Sequence, residues 1–207
     1  MTGKIIIFGS SSAIAKNFIK NFKNKKNLIL VSSKNNGGAQ FHNFDYSDEN
    51  FLLLKKKINI KKISHIINFC GYFNIKSSKK ISEFINFTVA KNIFKFAISN
   101  FKERKIRIIT ITSMDSVNAN TRDINYSLYK SLTSKLIKNL QLKYKKSNLQ
   151  FDDLQLGAIN TKMRKKKMDG LNTTEVSKLI SFLIDLNHST TFLPIKMFPK
   201  KKNYIEY

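Results

Sequence analysis

The sequence predicts an α/β fold: a doubly wound parallel sheet of six or seven strands with helices on both faces. Three observations predict it. Short apolar, β-branched runs alternate with longer segments of helical periodicity. Several of those runs end in Gly or Ser, where a strand would turn into a helix. No linker or internal repeat divides the 207 residues, a length that can bury one full core. One domain over residues 1–207 is expected.

Each element follows in order. "KIIIFG" (4–9) reads as a buried parallel strand closing on Gly. "SSSAIAKNFIKNFKNKK" (10–26) places Ile14, Phe18, Ile19 and Phe22 at helical spacing. "NLILVSSK" (27–34) is a second strand and "NNGG" a turn. "QFHNFDYSD" (40–48) is a third strand, before the helix "ENFLLLKKKI" (49–58). "ISHIINFCG" (63–71) is a fourth strand, again closing on Gly, and residues 81–101 form one long helix. "IRIITITS" (106–113) is a fifth strand. The helix 125–146 carries Leu128, Leu132, Leu136 and Leu140 along one stripe. "LQFDDLQLG" (149–157) is a sixth strand, 173–187 a last helix, and "TFLPIKMF" (191–198) a seventh strand before a basic tail.

The net charge of +25 invites a nucleic-acid reading, since Lys and Arg neutralise phosphates. Only four of the 38 basic residues are Arg, however, namely Arg104, Arg107, Arg122 and Arg164. Arg is the preferred bidentate reader of bases and phosphates. The lysines are spread along the chain, and Asn, Ile and Phe are abundant with them, the composition that an AT-rich genome imposes. No specific nucleic-acid partner is expected. Cys70 is the one cysteine, so no internal disulfide framework forms. His42, His65 and His188 lack metal-ligand spacing, and no metal is expected. There is no signal-peptide pattern, and no apolar run nears the ~20 residues that span a bilayer. A reducing, cytoplasmic setting is the expectation.

In a doubly wound fold ligands sit at the carboxyl ends of the strands. After strand one comes "GSSSAIA" (9–15), where Gly9 permits a tight turn and small residues let a helix N-terminus approach a phosphate. After strand three comes Asp45, able to meet an adenine amine or to cap the next helix. Strand four ends in "NFCG" (68–71) and strand five at Ser113. Thirteen residues on stands Tyr126, then Lys130 one helical turn later. About one Tyr-x-x-x-Lys is expected by chance in so Lys-rich a chain, and Tyr72/Lys76 also fits. The spacing alone decides nothing; the company of Tyr126 and Lys130 does.

That ordered set resembles the short-chain dehydrogenase/reductase family over nearly the whole chain. The family's Gly-rich turn corresponds to Gly9–Ala15, and its Asp after strand three to Asp45. Its Asn-Asn-Ala-Gly element corresponds to "NFCG" and its helix Asn to Asn86. Its catalytic Ser corresponds to Ser113, its Tyr-x-x-x-Lys to Tyr126 and Lys130, and its Pro-Gly-x-x-x-Thr to "LGAINT" (156–161). The resemblance implies a Rossmann-like fold and an NAD(P)-dependent oxidoreductase. It places a dinucleotide against Gly9, Ser11, Ser12 and Ile14, then Ser33 and Lys34, then Asp45 and Tyr46. Asn68, Cys70 and Gly71 follow, then Tyr126 and Lys130, then Gly157, Ile159 and Thr161.

It also implies hydride transfer between a nicotinamide and a carbonyl/alcohol pair. A free Tyr has a pKa of about 10. A neighbouring ammonium, here Lys130, lowers it. Tyr126 then exchanges a proton with the carbonyl oxygen, Ser113 hydrogen-bonds the same oxygen, and Asn86 holds a water linking Lys130 to solvent. NAD-selective sites usually carry an acid at the end of strand two. This chain has "VSSK" (31–34), which favours NADP over NAD, with Ser33 and Lys34 accepting the 2′-phosphate.

The chain departs from the family in places. Ala13 and Ala15 replace two turn glycines, and Leu156 replaces the Pro. The lid, about residues 162–172, is short and basic, which implies an open site or one suited to a large anionic substrate. The closing "FPKKKNYIEY" lacks the usual Gly-containing strand, which puts a tetramer contact in doubt and leaves a homodimer through the long helices open. The "SSSAIA" turn resembles a subset linked to surface-polysaccharide sugars. A sugar nucleotide or lipid-linked sugar would suit the charges of residues 164–167. The alternatives are a 3-oxoacyl carrier-protein reductase, or a dinucleotide-binding module without turnover.

Overall fold

The computed structural model describes residues 3–33, 41–47, 51–74, 78–118, 123–161, 170–186 and 190–200. Seven strands form one sheet in the order β3-β2-β1-β4-β5-β6-β7. They are β1 (Lys4–Phe8), β2 (Leu28–Ser32), β3 (Phe41–Asn43), β4 (Ile63–Asn68), β5 (Ile106–Ser113), β6 (Leu149–Leu156) and β7 (Ile195–Met197). Every pair is parallel. The helices are α1 (Ala13–Asn21), α2 (Leu52–Lys57), α3 (Lys79–Glu83), α4 (Val89–Phe101), α5 (Ile124–Lys143) and α6 (Thr173–Asp185).

Parallel strands covered on both faces read as continuous apolar runs, and Ile5, Ile6, Ile7 and Phe8 are fully buried. Alternate residues face opposite layers. Ile6, Phe8, Ile66 and Ile108 pack with α2, α4 and α5. Ile5, Ile7, Ile67, Ile109 and Leu154 pack with α1 and α6. After β3 the chain crosses to the far side of β1 and lays down β4. The order therefore reverses between β1 and β4, and that is where a crevice opens at the carboxyl edge.

Several boundaries differ from the sequence reading. Helix α1 stops at Asn21, because Phe22 adopts extended backbone (ψ 125°) and turns its ring onto Phe18. Strand β3 is short, and the Asp45 carboxylate accepts the Ser47 N–H at 2.9 Å in a turn just beyond it. Phe51, with φ 52°, sits in the left-handed region ahead of α2. Its ring is fully buried between Phe8, Phe44 and Phe96, which offsets the backbone strain. The expected helix 81–101 is α3, capped by Ser78, then a π-turn over Phe84–Thr88, then α4. On α5 the Leu stripe is only half inside: Leu128 and Leu132 are exposed, and the buried face is Ser127, Lys130, Thr133, Ile137 and Leu140. A strict four-residue spacing overshoots the 3.6-residue turn and winds off the core.

Strand β6 carries two adjacent buried acids. Asp152 faces the α6 layer and meets the Arg107 guanidinium at 3.4 Å. Arg107 also donates to the carbonyls of Leu183 (2.9 Å) and Thr190, tying α6 and the 190 loop to the sheet. No helix among the described residues is long and apolar enough to cross a membrane.

Candidate active site

The first turn is built around Gly9. Its φ is +71°, and a Cβ there would lie 2.8 Å from the Cys70 nitrogen, so only glycine fits. The Ser12 hydroxyl caps α1 by accepting the Ala15 N–H at 3.2 Å. Ala15 is fully buried, so its methyl group packs into the core. Ser10 donates to the Val31 carbonyl, and the Ser32 hydroxyl donates to the Ser11 hydroxyl at 2.9 Å. These bonds fasten the turn to the end of β2.

Tyr46 lies differently from its sequence assignment. Its ring is in the core, and its hydroxyl accepts the Gly9 N–H at 2.9 Å while donating to the Val31 carbonyl at 3.2 Å. The side chain is a strut below the turn, and only backbone is left to face a ligand. The Ile14 side chain likewise packs against the core. Asp45 is exposed, its carboxyl held below the usual range by the Ser47 N–H. It closes a local turn and does not cap α2, whose N-cap is Phe51. Ser33 is exposed at the end of β2, and Lys34 lies outside the described residues.

At the end of β4 the Asn68 side chain accepts the Cys70 N–H at 2.9 Å. Burial pushes the Cys70 thiol up to about 12, against the pull of the Tyr46 hydroxyl and the Lys130 charge, so it stays neutral. A Cβ on Gly71 would stand 3.0 Å from Lys130 Nζ. Asn86, in the π-turn, accepts the Tyr72 N–H at 3.0 Å and donates to the Tyr72 carbonyl at 2.9 Å. Its own carbonyl accepts the Thr133 hydroxyl at 2.8 Å. The Asn86 side chain thus clamps the segment after β4.

At the end of β5 the Ser113 hydroxyl accepts the Asp115 N–H at 3.1 Å. Tyr126 enters on the first turn of α5, where the N-cap Asp123 accepts its N–H at 2.9 Å. Its half-buried ring meets Phe73 edge-on at 5.2 Å. The Ser113 hydroxyl acts on the Tyr126 phenol across the end of β5. Burial pushes the Tyr126 phenol up to about 12, opposed by Ser113 and aided by Asp115 and Asp123. The expected lowering by the ammonium is thus reversed. Lys130 Nζ stands over the ring, 5.9 Å from its centre, and donates to the carbonyls of Ile111 (3.3 Å) and Cys70 (3.4 Å) rather than facing the hydroxyl. Burial draws Lys130 down to about 8, against Cys70 and Asp153.

Beyond β6, Gly157 donates to the Met197 carbonyl at 2.7 Å, extending the ladder to β7. Ile159 bridges to Leu171, with Asn160 N–H to Leu171 carbonyl at 3.0 Å and Leu171 N–H to Ala158 carbonyl at 2.7 Å. Residues 162–169 of the expected lid lie outside the described residues. A cleft of about 410 Å³ opens beside Thr161, lined by Ala13, Lys16, Asn17, Lys20, Asn160 and Thr173. Ser113, Tyr126 and Lys130 therefore come together at one sheet edge, facing the Gly9 turn across the Cys70–Gly71 backbone. The sequence reading missed Asp153, although two neighbouring acids in a buried strand are a visible signal.

Solved structures resemble the whole chain. An NADP+ complex of a serine dehydrogenase in its closed form superposes with a TM-score of 0.82, at 13% identity over 98% of both chains. An alcohol dehydrogenase from the archaeon Thermococcus sibiricus, complexed with 5-hydroxy-NADP, gives 0.78 at 15% identity over 99% of both. A 4-hydroxyisoleucine dehydrogenase complexed with NADH gives 0.77 at 19% identity, covering 94% of this chain and 96% of that one. At such identities these likenesses concern the fold. No curated protein sequence matches the chain significantly. The family model described as short chain dehydrogenase matches residues 4–172, from the first residue of β1 through the β6 exit to the cap of α6. On that match, over most of its length, the chain belongs to the short-chain dehydrogenase family.

Proposed function

We propose that the protein reduces a carbonyl to an alcohol with NADPH, the whole chain acting as one catalytic unit. The observation that carries this reading is the Lys130 ammonium over the Tyr126 phenol ring, with the Ser113 hydroxyl acting on the same phenol. The chain's own residues fit a dinucleotide. Gly9 turns the chain tightly against Cys70 and Gly71 leaves room for the Lys130 ammonium. The N-terminus of α1 follows the Gly9 turn, and a helix N-terminus favours a phosphate. NADP complexes among the similar folds agree with this.

Bound nicotinamide would supply the hydride. Tyr126, held protonated, gives its proton to the carbonyl oxygen. Ser113 donates to the same oxygen and fixes the angle of approach. Lys130 places positive charge below the phenol, which stabilises the phenolate left after transfer. Asn86 holds the backbone after β4 against the site. A phenol at about 12 is fully protonated at neutral pH, which favours the reductive direction.

The described end of β2 exposes Ser33 and carries no acid, which supports NADPH over NADH. Lys16 and Lys20 at the cleft beside Thr161 support an anionic substrate such as a sugar nucleotide or lipid-linked sugar. The exposed Ile124, Leu128 and Leu132 on α5 support a homodimer, and the reaction is assigned to the cytoplasm. The test is NADPH oxidation across a carbonyl panel that includes keto-sugar nucleotides and 3-oxoacyl carriers. Turnover confined to the sugars is expected. NADPH binding without turnover on any carbonyl would favour a binding module instead.

A further inference from the structure

We propose that Asp153 is the buried counter-ion of Lys130, a positioning residue that keeps the ammonium charged and seated beside Tyr126 and Gly71. The inference deepens the reading above and rests on it for its catalytic meaning, though not for its geometry.

Neighbouring residues of a strand face opposite layers. Asp152 and Asp153 are both buried to within 2 % of full cover, and each therefore needs a cation in its own layer. Asp152 has Arg107 on the α6 side. Asp153 faces the α5 side. Its carboxylate accepts the Thr112 hydroxyl and the Gln155 amide at 2.9 Å. Thr112 follows Ile111, whose carbonyl takes the Lys130 ammonium at 3.3 Å. The acid is thus tied through Thr112 to the stretch of β5 whose Ile111 carbonyl holds the base, and each acts electrostatically on the other.

The other charges around Lys130 do not serve. The Cys70 thiol is neutral near pH 7. Asp115 and Asp123 act on the Tyr126 phenol, Glu83 accepts the Tyr129 hydroxyl, and Arg107 is across the sheet with Asp152. The two carbonyls on Nζ bring dipoles but no net charge. Two neutral donors, Thr112 and Gln155, stabilise the Asp153 anion where Lys130 can feel it.

The test reads Lys130 directly, without cofactor. In full-length protein carrying lysine labelled with carbon-13 at the ε position, the Lys130 resonance is identified by its loss in Lys130→Met. Its titration midpoint is then compared between the parent protein and Asp153→Asn. The midpoint is expected to fall by about one pH unit or more when the counter-charge goes. An unchanged midpoint overturns the proposal. Should Asp153→Asn fail to fold, the double variant with Lys130→Met decides. Folding regained in the double supports the pair, and folding lost in both overturns it. NADPH titration of the same samples separates the two claims. If nothing binds at any pH while the midpoint still moves, the counter-ion stands and the proposed function falls. If NADPH binds and the midpoint is fixed, the reverse holds.

Discussion

The Tyr46 hydroxyl stands under Gly9, taking its N–H at 2.9 Å, so a residue from the far side of β3 holds the turn that opens the crevice. Tyr46→Phe strands the Gly9 N–H, while the Val31 carbonyl keeps the Ser10 donors. A stability loss of about 1–3 kcal/mol is expected from the lost bonds. NADPH affinity should fall severalfold while kcat is spared. Urea unfolding and fluorescence titration measure both, and a drop in kcat alone would contradict the strut.

Tyr126→Phe removes only the proton donor. The reduction rate should drop by about 10²–10⁴-fold, the usual worth of a general acid. NADPH affinity should stay within about twofold, because Phe keeps the ring against Phe73 and under Lys130. Steady-state kinetics and titration of the variant test this. Retained activity would remove Tyr126 from the mechanism.

Lys130 sets an alkaline limit. With its folded value drawn to about 8, NADPH affinity and turnover should decline above that pH. Stability moves the other way. Between about 8 and the ordinary 10.5 the unfolded chain keeps the proton that the folded chain has lost, so this group makes the fold more stable as pH rises. Melting curves of the parent and Lys130→Met across that range should diverge in favour of the parent. A constant difference would show that Lys130 titrates normally.

Arg107→Met leaves Asp152 buried without its cation. A loss of about 3–5 kcal/mol is expected, the usual effect of breaking a buried pair. Asp152→Leu added to it should recover part of that loss, since the stranded acid is gone. Denaturant unfolding of both variants decides, and equal stability of the single and double variants would show that Asp152 is already neutral. Burial pushes its carboxyl up to about 6 even against Arg107, and losing that cation raises it further, so the recovery should shrink already above that pH.

Much of the fold was legible because β1, β4 and β5 are buried on both faces and end in a turn. "IIIF" and "ITIT" can hardly be read otherwise. Local patterns also gave Ser113, Tyr126 and Lys130, whose spacing along one strand end and one helix turn survives folding. What stayed hidden depends on contacts between distant residues. Nothing in "FDYSD" says that Tyr46 folds back under Gly9 (37 positions away) instead of facing adenine. The π-turn at Asn86 keeps a helical hydrophobic period, so the sequence shows a single helix where the backbone widens. The pKa of Tyr126 depends on burial, which spacing does not report.

The short bridge between Ile159 and Leu171 has a practical consequence. The chain leaves β6 and returns to α6 through one clasp, so whatever is spliced between those two points starts and finishes at fixed positions. Loops of other lengths could be grafted there without disturbing the strands. The scaffold would keep its chemistry while the choice of molecule admitted is rewritten in a single place.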